Sequence, residues 1–220
     1  MTITTNYKSI SSSISDDVTL VIAAKTRTKK EIEEVIASGA TDIGYNNVQE
    51  AERMYHQLGD IASKVRWHMI GPLQRNKINK VLPIFDVIQT VDSYKLAEAI
   101  NKRTAKVMPI YIQINISGED TKSGVEPDNL KDLIMQMSDL EKIRIEGIMG
   151  MEPYSDNPED ARQYFTRMNS LFKDAKTITQ DNLDLRVLSM GMSSAYKVAV
   201  EEGSNMVRVG TAIFGKRDYN

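Results

Sequence analysis

The stretch VTLVIAAKTRTKKEIEEVIASGATDIGY, residues 18–45, sets the reading of the chain. Val18 to Ala24 is an apolar or small-residue run of strand length. Thr28 and Glu31 have the spacing of a capping box, the reciprocal pair that opens a helix. Ile32, Val35 and Ile36 then recur at helical period, and Thr41 to Gly44 reads as a second short strand. The unit is strand, helix, strand. One residue breaks its apolar logic: Thr19, Val21, Ala23 and Lys25 share one side of an extended chain, so a lysine falls where an inward-facing apolar side chain is expected.

The alternation continues outward from this unit. Further strands are expected at Trp67 to Ile70, Val87 to Thr90, Ile110 to Ile116, Arg144 to Met149, Arg186 to Ser189, and Met206 to Val209. Between them run helical stripes such as Val48, Ala51, Tyr55 and Leu58, or Ala161, Phe165, Met168 and Phe172. GPLQRNKINKVLP (71–83) has room for only a short helix, and Ser193 to Glu202 supplies the last one. Eight strands, each but the last followed by a helix, argue for a single parallel α/β domain over 18–220, a (β/α)8 TIM barrel behind a polar, helical or disordered tail at 1–17. A doubly wound open sheet is the alternative, but the G-x-G-x-x-G turn usual after its first strand is replaced here by KTRTKKE.

Composition excludes several function classes. A net charge of −2 with 26% charged residues does not suit a dedicated nucleic-acid or membrane-surface protein, and the local cluster Lys25, Arg27, Lys29, Lys30 reads as a solvated face. Without cysteine there is no disulfide framework, thiolate nucleophile or Cys-based zinc site, which fits a reducing cytoplasm. The serine-rich N-terminus lacks the apolar core of a signal peptide, and no segment approaches the ~18 apolar residues of a membrane span. His56 and His68 are too few for a typical metal site, and His68, beside Trp67, reads as a hydrogen-bonded wall residue.

In a barrel, chemistry collects at the C-terminal strand ends. Lys25 ends the first strand, Asn46 follows the second, and Asn115 and Ser117 end the fifth. The seventh runs into SMGMSSAYK (189–197) and the eighth into RVGTAIFG (208–215), which join glycines to hydroxyls and let backbone N–H groups approach an anion. Ser193 falls at the expected helix start, where the dipole favours a phosphate. Closure sets the first strand beside the eighth, so amine and anion site face one ligand. An aldehyde for the lysine and a phosphate for the loops describe pyridoxal 5′-phosphate (PLP), joined as a Schiff base. Arg208, with the same facing as Gly210, is placed to meet the pyridine nitrogen or the phosphate. GTAIFGKR (210–217) imitates a P-loop, but Arg217 stands where that motif needs a hydroxyl.

AAKTRT, GYNNVQEA, WHMIGPLQRNK, QINISGEDTKSG, GIMGM, LSMGMSSAYKVAVEEGSNMVRVGTAIFG and the closing RDY occur in the order seen in the pyridoxal phosphate homeostasis proteins. From Val18 to Tyr219 the chain resembles that family, whose single barrel is related to the N-terminal domain of bacterial alanine racemases. The resemblance implies that Lys25 carries the cofactor as an internal aldimine, that Ser193, Gly210 and Thr211 contact its phosphate, and that Asn46 and Arg208 line it. It departs from the family pattern at Tyr45, Asn47 and Ala195, where glutamate, tyrosine and aspartate are usual.

The expected function is therefore that of a cytoplasmic PLP carrier or regulator, monomeric or weakly dimeric, with PLP-dependent apoenzymes as partners. A weakly active racemase-like enzyme is the alternative, and a barrel used as a partner-binding surface is the third. A racemase needs a base on each face of the cofactor, and the related racemases take the second from a C-terminal domain not seen in this sequence. Tyr45 is the tyrosine nearest in sequence to the cofactor loops.

Overall fold

The computed structural model describes residues 2–119 and 123–215, so the closing RDY lies outside the described residues. Its strands are β1 (Thr19–Ala23), β2 (Asp42–Tyr45), β3 (Arg66–Met69), β4 (Val87–Val91), β5 (Met108–Ile114), β6 (Ile143–Gly150), β7 (Leu183–Ser189) and β8 (Met206–Val209). All pair in parallel and in chain order, and β8 returns to β1 with Ile22 level with Val209, closing the barrel. That last pairing excludes the open sheet. Boundaries shift by a few residues; β5 starts at Met108 and runs through Pro109.

The polar segment ahead of β1 supplies α1 (Ile3–Ser11), whose Tyr7 and Ile10 are buried. It packs beside α2 (Lys29–Ala37), and Asn6 Nδ2 donates to the Ile213 carbonyl at 2.9 Å. The Thr28–Glu31 capping box is formed in full. Then come α3 (Val48–Leu58), α4 (Ile78–Val81) behind a 3-10 turn at Arg75–Lys77, α5 (Tyr94–Asn101), α6 (Leu130–Gln136), α7 (Arg162–Ala175), α8 (Tyr196–Glu201) and α9 (Thr211–Phe214).

Two expectations need correction. The eighth strand does carry a helix, the single turn α9. And α8 begins at Tyr196, not Ser193, because Met192 to Ala195 form a turn closed by the Ala195 N–H on the Met192 carbonyl (3.0 Å). Ala195 occupies the capping position of α8 and has no side-chain acceptor to offer.

Strand alternation divides the core. Val21, Val87, Tyr111, Met149 and Met206 meet inside the barrel, while Ile22, Ile43, Tyr45 and Trp67 face outward under the helices. Burying each such large apolar side chain contributes about 1.5–3 kcal/mol. The inner face of β1 points toward the barrel axis, and the strand ends at Ala23, two residues before Lys25.

Candidate functional site

β1 hands over to the site through a strained turn. The Ala24 N–H donates to the Gly44 carbonyl at 2.9 Å, and Ala23 is level with Gly44, so Lys25 and Asn46 both lie just past the ends of the neighbouring strands β1 and β2. Thr26 has φ 64°, a left-handed conformation unusual for a β-branched residue. Such an outlier costs about 1–3 kcal/mol and persists only where its surroundings hold it. Here the Thr26 N–H donates to the Glu50 carboxylate in the first turn of α3, and the Thr26 hydroxyl donates to the Lys25 carbonyl at 2.6 Å. Half-buried Lys25 is thus held at its backbone from two sides.

The end of β8 lies against this turn. A Cβ on Gly210 would stand 2.9 Å from the Ala23 carbonyl oxygen, so only glycine lets the two strand ends approach this closely. Ser193, arriving on the loop after β7, accepts the Gly210 N–H at 3.2 Å and the Ala212 N–H at 3.3 Å. Ser193 therefore serves the start of α9, not α8. Its oxygen marks where an anionic oxygen would find the same two donors. Thr211, between them in sequence, is exposed.

Beside these loops opens a cavity of about 420 Å³, within the range of small-ligand sites. Asn46, Gln113, Met151, Glu152, Tyr154 and Ser194 are among its walls. The Asn46 turn is pressed onto Gly71, where a Cβ would come within 2.3 Å of the Asn46 carbonyl. Glu152 Oε1 accepts the Met192 N–H at 3.0 Å, whereas its buried Oε2 has no partner among the described residues. Arg208 is buried within the barrel: Nη2 donates to the Gly150 carbonyl (2.8 Å) and Nη1 to Ser189 Oγ (2.6 Å). Burial brings its pKa down to about 10, opposed by the charge of Glu152, so it remains a cation at neutral pH.

The family model described as alanine racemase, N-terminal domain, matches residues 2–218. A pyridoxal phosphate homeostasis protein of Aquifex aeolicus is 39% identical over 203 residues, covering 91% of this chain and 87% of that protein. The chain belongs to the pyridoxal phosphate homeostasis proteins. The structure of PipY from Synechococcus elongatus without PLP superposes with a TM-score of 0.90 at 31% identity, covering 97% of this chain and 100% of that one. The structure of PipY with PLP bound gives 0.88 at 30% with the same coverage. An alanine racemase from Corynebacterium glutamicum, 18% identical with a TM-score of 0.75, shares the fold over 98% of this chain and 60% of its own.

Among the residues singled out from sequence in this homeostasis-family chain, Ser193, Gly210 and Thr211 meet in one loop cluster, Lys25 and Asn46 follow the ends of the adjacent strands β1 and β2, and Arg208 lies on the barrel side of Gly210. Tyr45 is not part of the site. It faces outward, is fully buried, and stacks on Trp67 with ring centroids 5.6 Å apart. Burial, and next the charge of Glu50, push its hydroxyl well above the usual tyrosine pKa. Asn47 caps α3, accepting the N–H groups of Gln49 and Glu50 at 2.9 and 3.1 Å. Asn115 and Ser117 bond to each other at 3.2 Å past the end of β5 and do not line the cavity. Sequence reasoning missed Glu50 and Glu152. Glu50 was legible as the acid in the first turn after a strand-end asparagine pair; nothing local to Glu152 distinguishes it from a solvated acid.

Proposed function

We propose that this chain binds pyridoxal 5′-phosphate on Lys25 and holds it for cofactor homeostasis, not for amino-acid turnover. The observation that carries this reading is the seat of Ser193 Oγ on the Gly210 and Ala212 N–H groups, in a loop pressed against the strand that leads to Lys25. The family name and the PLP-bound PipY structure support the same ligand. When bound, PLP supplies an aldehyde that a primary amine captures and a ring that withdraws electrons. Lys25 would hold it through its side-chain amine. Ser193, Gly210 and Thr211 would take the phosphate, Arg208 would present a cation from within the barrel, and Asn46 lines the cavity wall.

Two tyrosines bear on the absence of turnover. Tyr45 faces away, and Tyr154, at the cavity wall, donates its hydroxyl to Asp156 Oδ1 at 2.7 Å. That bond, with the charge of Asp156, raises the Tyr154 pKa above the ordinary value and makes it a poor base at neutral pH. The cysteine-free composition suits the cytoplasm, and among the described residues no helix is long and apolar enough to cross a membrane. PLP-dependent apoenzymes are the natural recipients, served by a monomer or weak dimer.

The test is the near-visible absorbance of the purified protein and of Lys25→Ala, with and without PLP, together with an alanine racemisation assay. A band in the wild type that Lys25→Ala lacks, with no racemisation above background, supports the reading. Equal spectra for the two proteins would remove Lys25 as the attachment point, and turnover at the rate of a dedicated racemase would replace the carrier with an enzyme.

A further inference from the structure

Arg208 makes its hydrogen bonds to neutral groups, and their directions can be followed atom by atom. A guanidinium only donates. Ser189 Oγ, accepting from Arg208 Nη1, must send its own proton elsewhere, and Gln89 Oε1 lies 2.8 Å away. This orients the Gln89 amide, whose Nε2 then donates to His68 Nδ1 at 2.9 Å. With Nδ1 accepting, neutral His68 carries its proton on Nε2 and donates it to Asp42 Oδ1 at 2.8 Å. Asp42 Oδ2 accepts from the Thr41 hydroxyl at 2.8 Å. The row runs through β8, β7, β4, β3 and β2, all its members are buried, and a carboxylate that only accepts ends what a guanidinium that only donates begins.

We propose that Ser189, Gln89 and His68 are positioning residues for Arg208, locking the rotation of its guanidinium and hence the face it turns to the cofactor site. The proposal rests on the PLP reading above. A free arginine side chain carries rotamer entropy, which such an anchor removes before the ligand arrives. The lock depends on one proton arrangement. If His68 gained a second proton, Nδ1 would need an acceptor, Gln89 would have to flip, and Ser189 would lose the acceptor for its own proton. The charged groups facing His68 are Asp42 at Nε2, Arg66 at the start of β3 and Asp86 ahead of β4.

Two substitutions at Gln89 separate positioning from bulk stability. Gln89→Glu still accepts from Ser189 but requires a proton on His68 Nδ1. The charge of the row is conserved, since imidazolium plus a new carboxylate replaces two neutral groups. Gln89→Leu leaves Ser189 without an acceptor.

The expected result is that Gln89→Glu keeps PLP affinity and band position, while ring 15N NMR shows His68 doubly protonated at neutral pH. Gln89→Leu, folded by circular dichroism, should bind PLP about tenfold more weakly, in keeping with the loss of the one hydrogen bond that orients the Ser189 acceptor of Arg208, and with a displaced band. If Gln89→Leu does not fold, Ser189→Ala takes its place with the same expectation. Wild-type affinity and spectrum in the folded chain-breaking variant would overturn the proposal. So would a singly protonated His68 in Gln89→Glu. If the wild type gives no band with PLP, the functional reading fails by itself, and the His68 signals of the ligand-free protein still decide whether the row is polarised as described.

Discussion

Gly210 rests on Ala23: a Cβ at position 210 would meet the Ala23 carbonyl oxygen at 2.9 Å and its Cβ at 3.2 Å. The end of the last strand is thereby held against the end of the first, and the Gly210 and Ala212 N–H groups, the donors proposed for a phosphate, are set beside the turn that carries Lys25. Because the nearest atom is backbone, an added methyl cannot be accommodated by a rotamer change. Gly210→Ala is expected to lower stability by about 1–3 kcal/mol, the usual range for overpacking, as read by urea unfolding, and to weaken PLP more than pyridoxal.

Ser193 is expected to contribute to the phosphate seat and to the last helical turn together. Ser193→Ala removes the acceptor for two N–H groups and should destabilise by about 0.5–2 kcal/mol, as cap losses do. Titration with PLP and with pyridoxal should show the variant losing much of the preference for the phosphorylated form. An unchanged preference would move the phosphate away from this loop.

Tyr45 offers a contrast. Its hydroxyl is buried without a hydrogen-bond partner among the described residues, so Tyr45→Phe removes an unsatisfied polar group and keeps the stack on Trp67. The melting temperature should stay level or rise, and the PLP spectrum should not change. A loss of binding would bring Tyr45 back into the site.

Stability should fall on acidification in two separate windows. Burial outweighs the Asp42 hydrogen bond and holds the His68 pKa below its ordinary 6.5. Above 6.5 neither the folded nor the unfolded state holds that proton. Below it the unfolded chain takes up a proton that the folded barrel refuses, so stability drops with pH. For Asp42, burial acts to raise the pKa, but the hydrogen bond and charge of His68, helped by Thr41 and Arg66, bring it below 3.8. Its contribution is present above 3.8 and is lost only as pH falls further toward the folded value. Urea midpoints between pH 7.5 and 5 should decline in the wild type and flatten in His68→Gln, which can accept from Gln89 and donate to Asp42 without titrating.

The sequence determined the barrel and named most of the residues proposed for the site. Both depend on local signals: strands and helices differ in hydrophobic period, the Thr28–Glu31 box is a contact within one turn, and glycines beside hydroxyls describe an anion loop wherever they occur. Closure also followed from the strand count. What tertiary structure alone decided were pairings between residues far apart in the chain. Ser193 reads as the cap of the helix that follows it, yet its hydroxyl serves Gly210 and Ala212, because barrel closure brings the loop after β7 to the start of α9. Tyr45 is next to Asn46 in sequence and on the opposite face in space, since strand alternation turns it under the helices. The row from Arg208 to Asp42 draws one side chain from each of five strands, and its members share no spacing or motif. Strand periodicity says that each faces inward. Only the shear and closure of the barrel fix which inward side chains lie at the same height, and that is what makes hydrogen bonds between them.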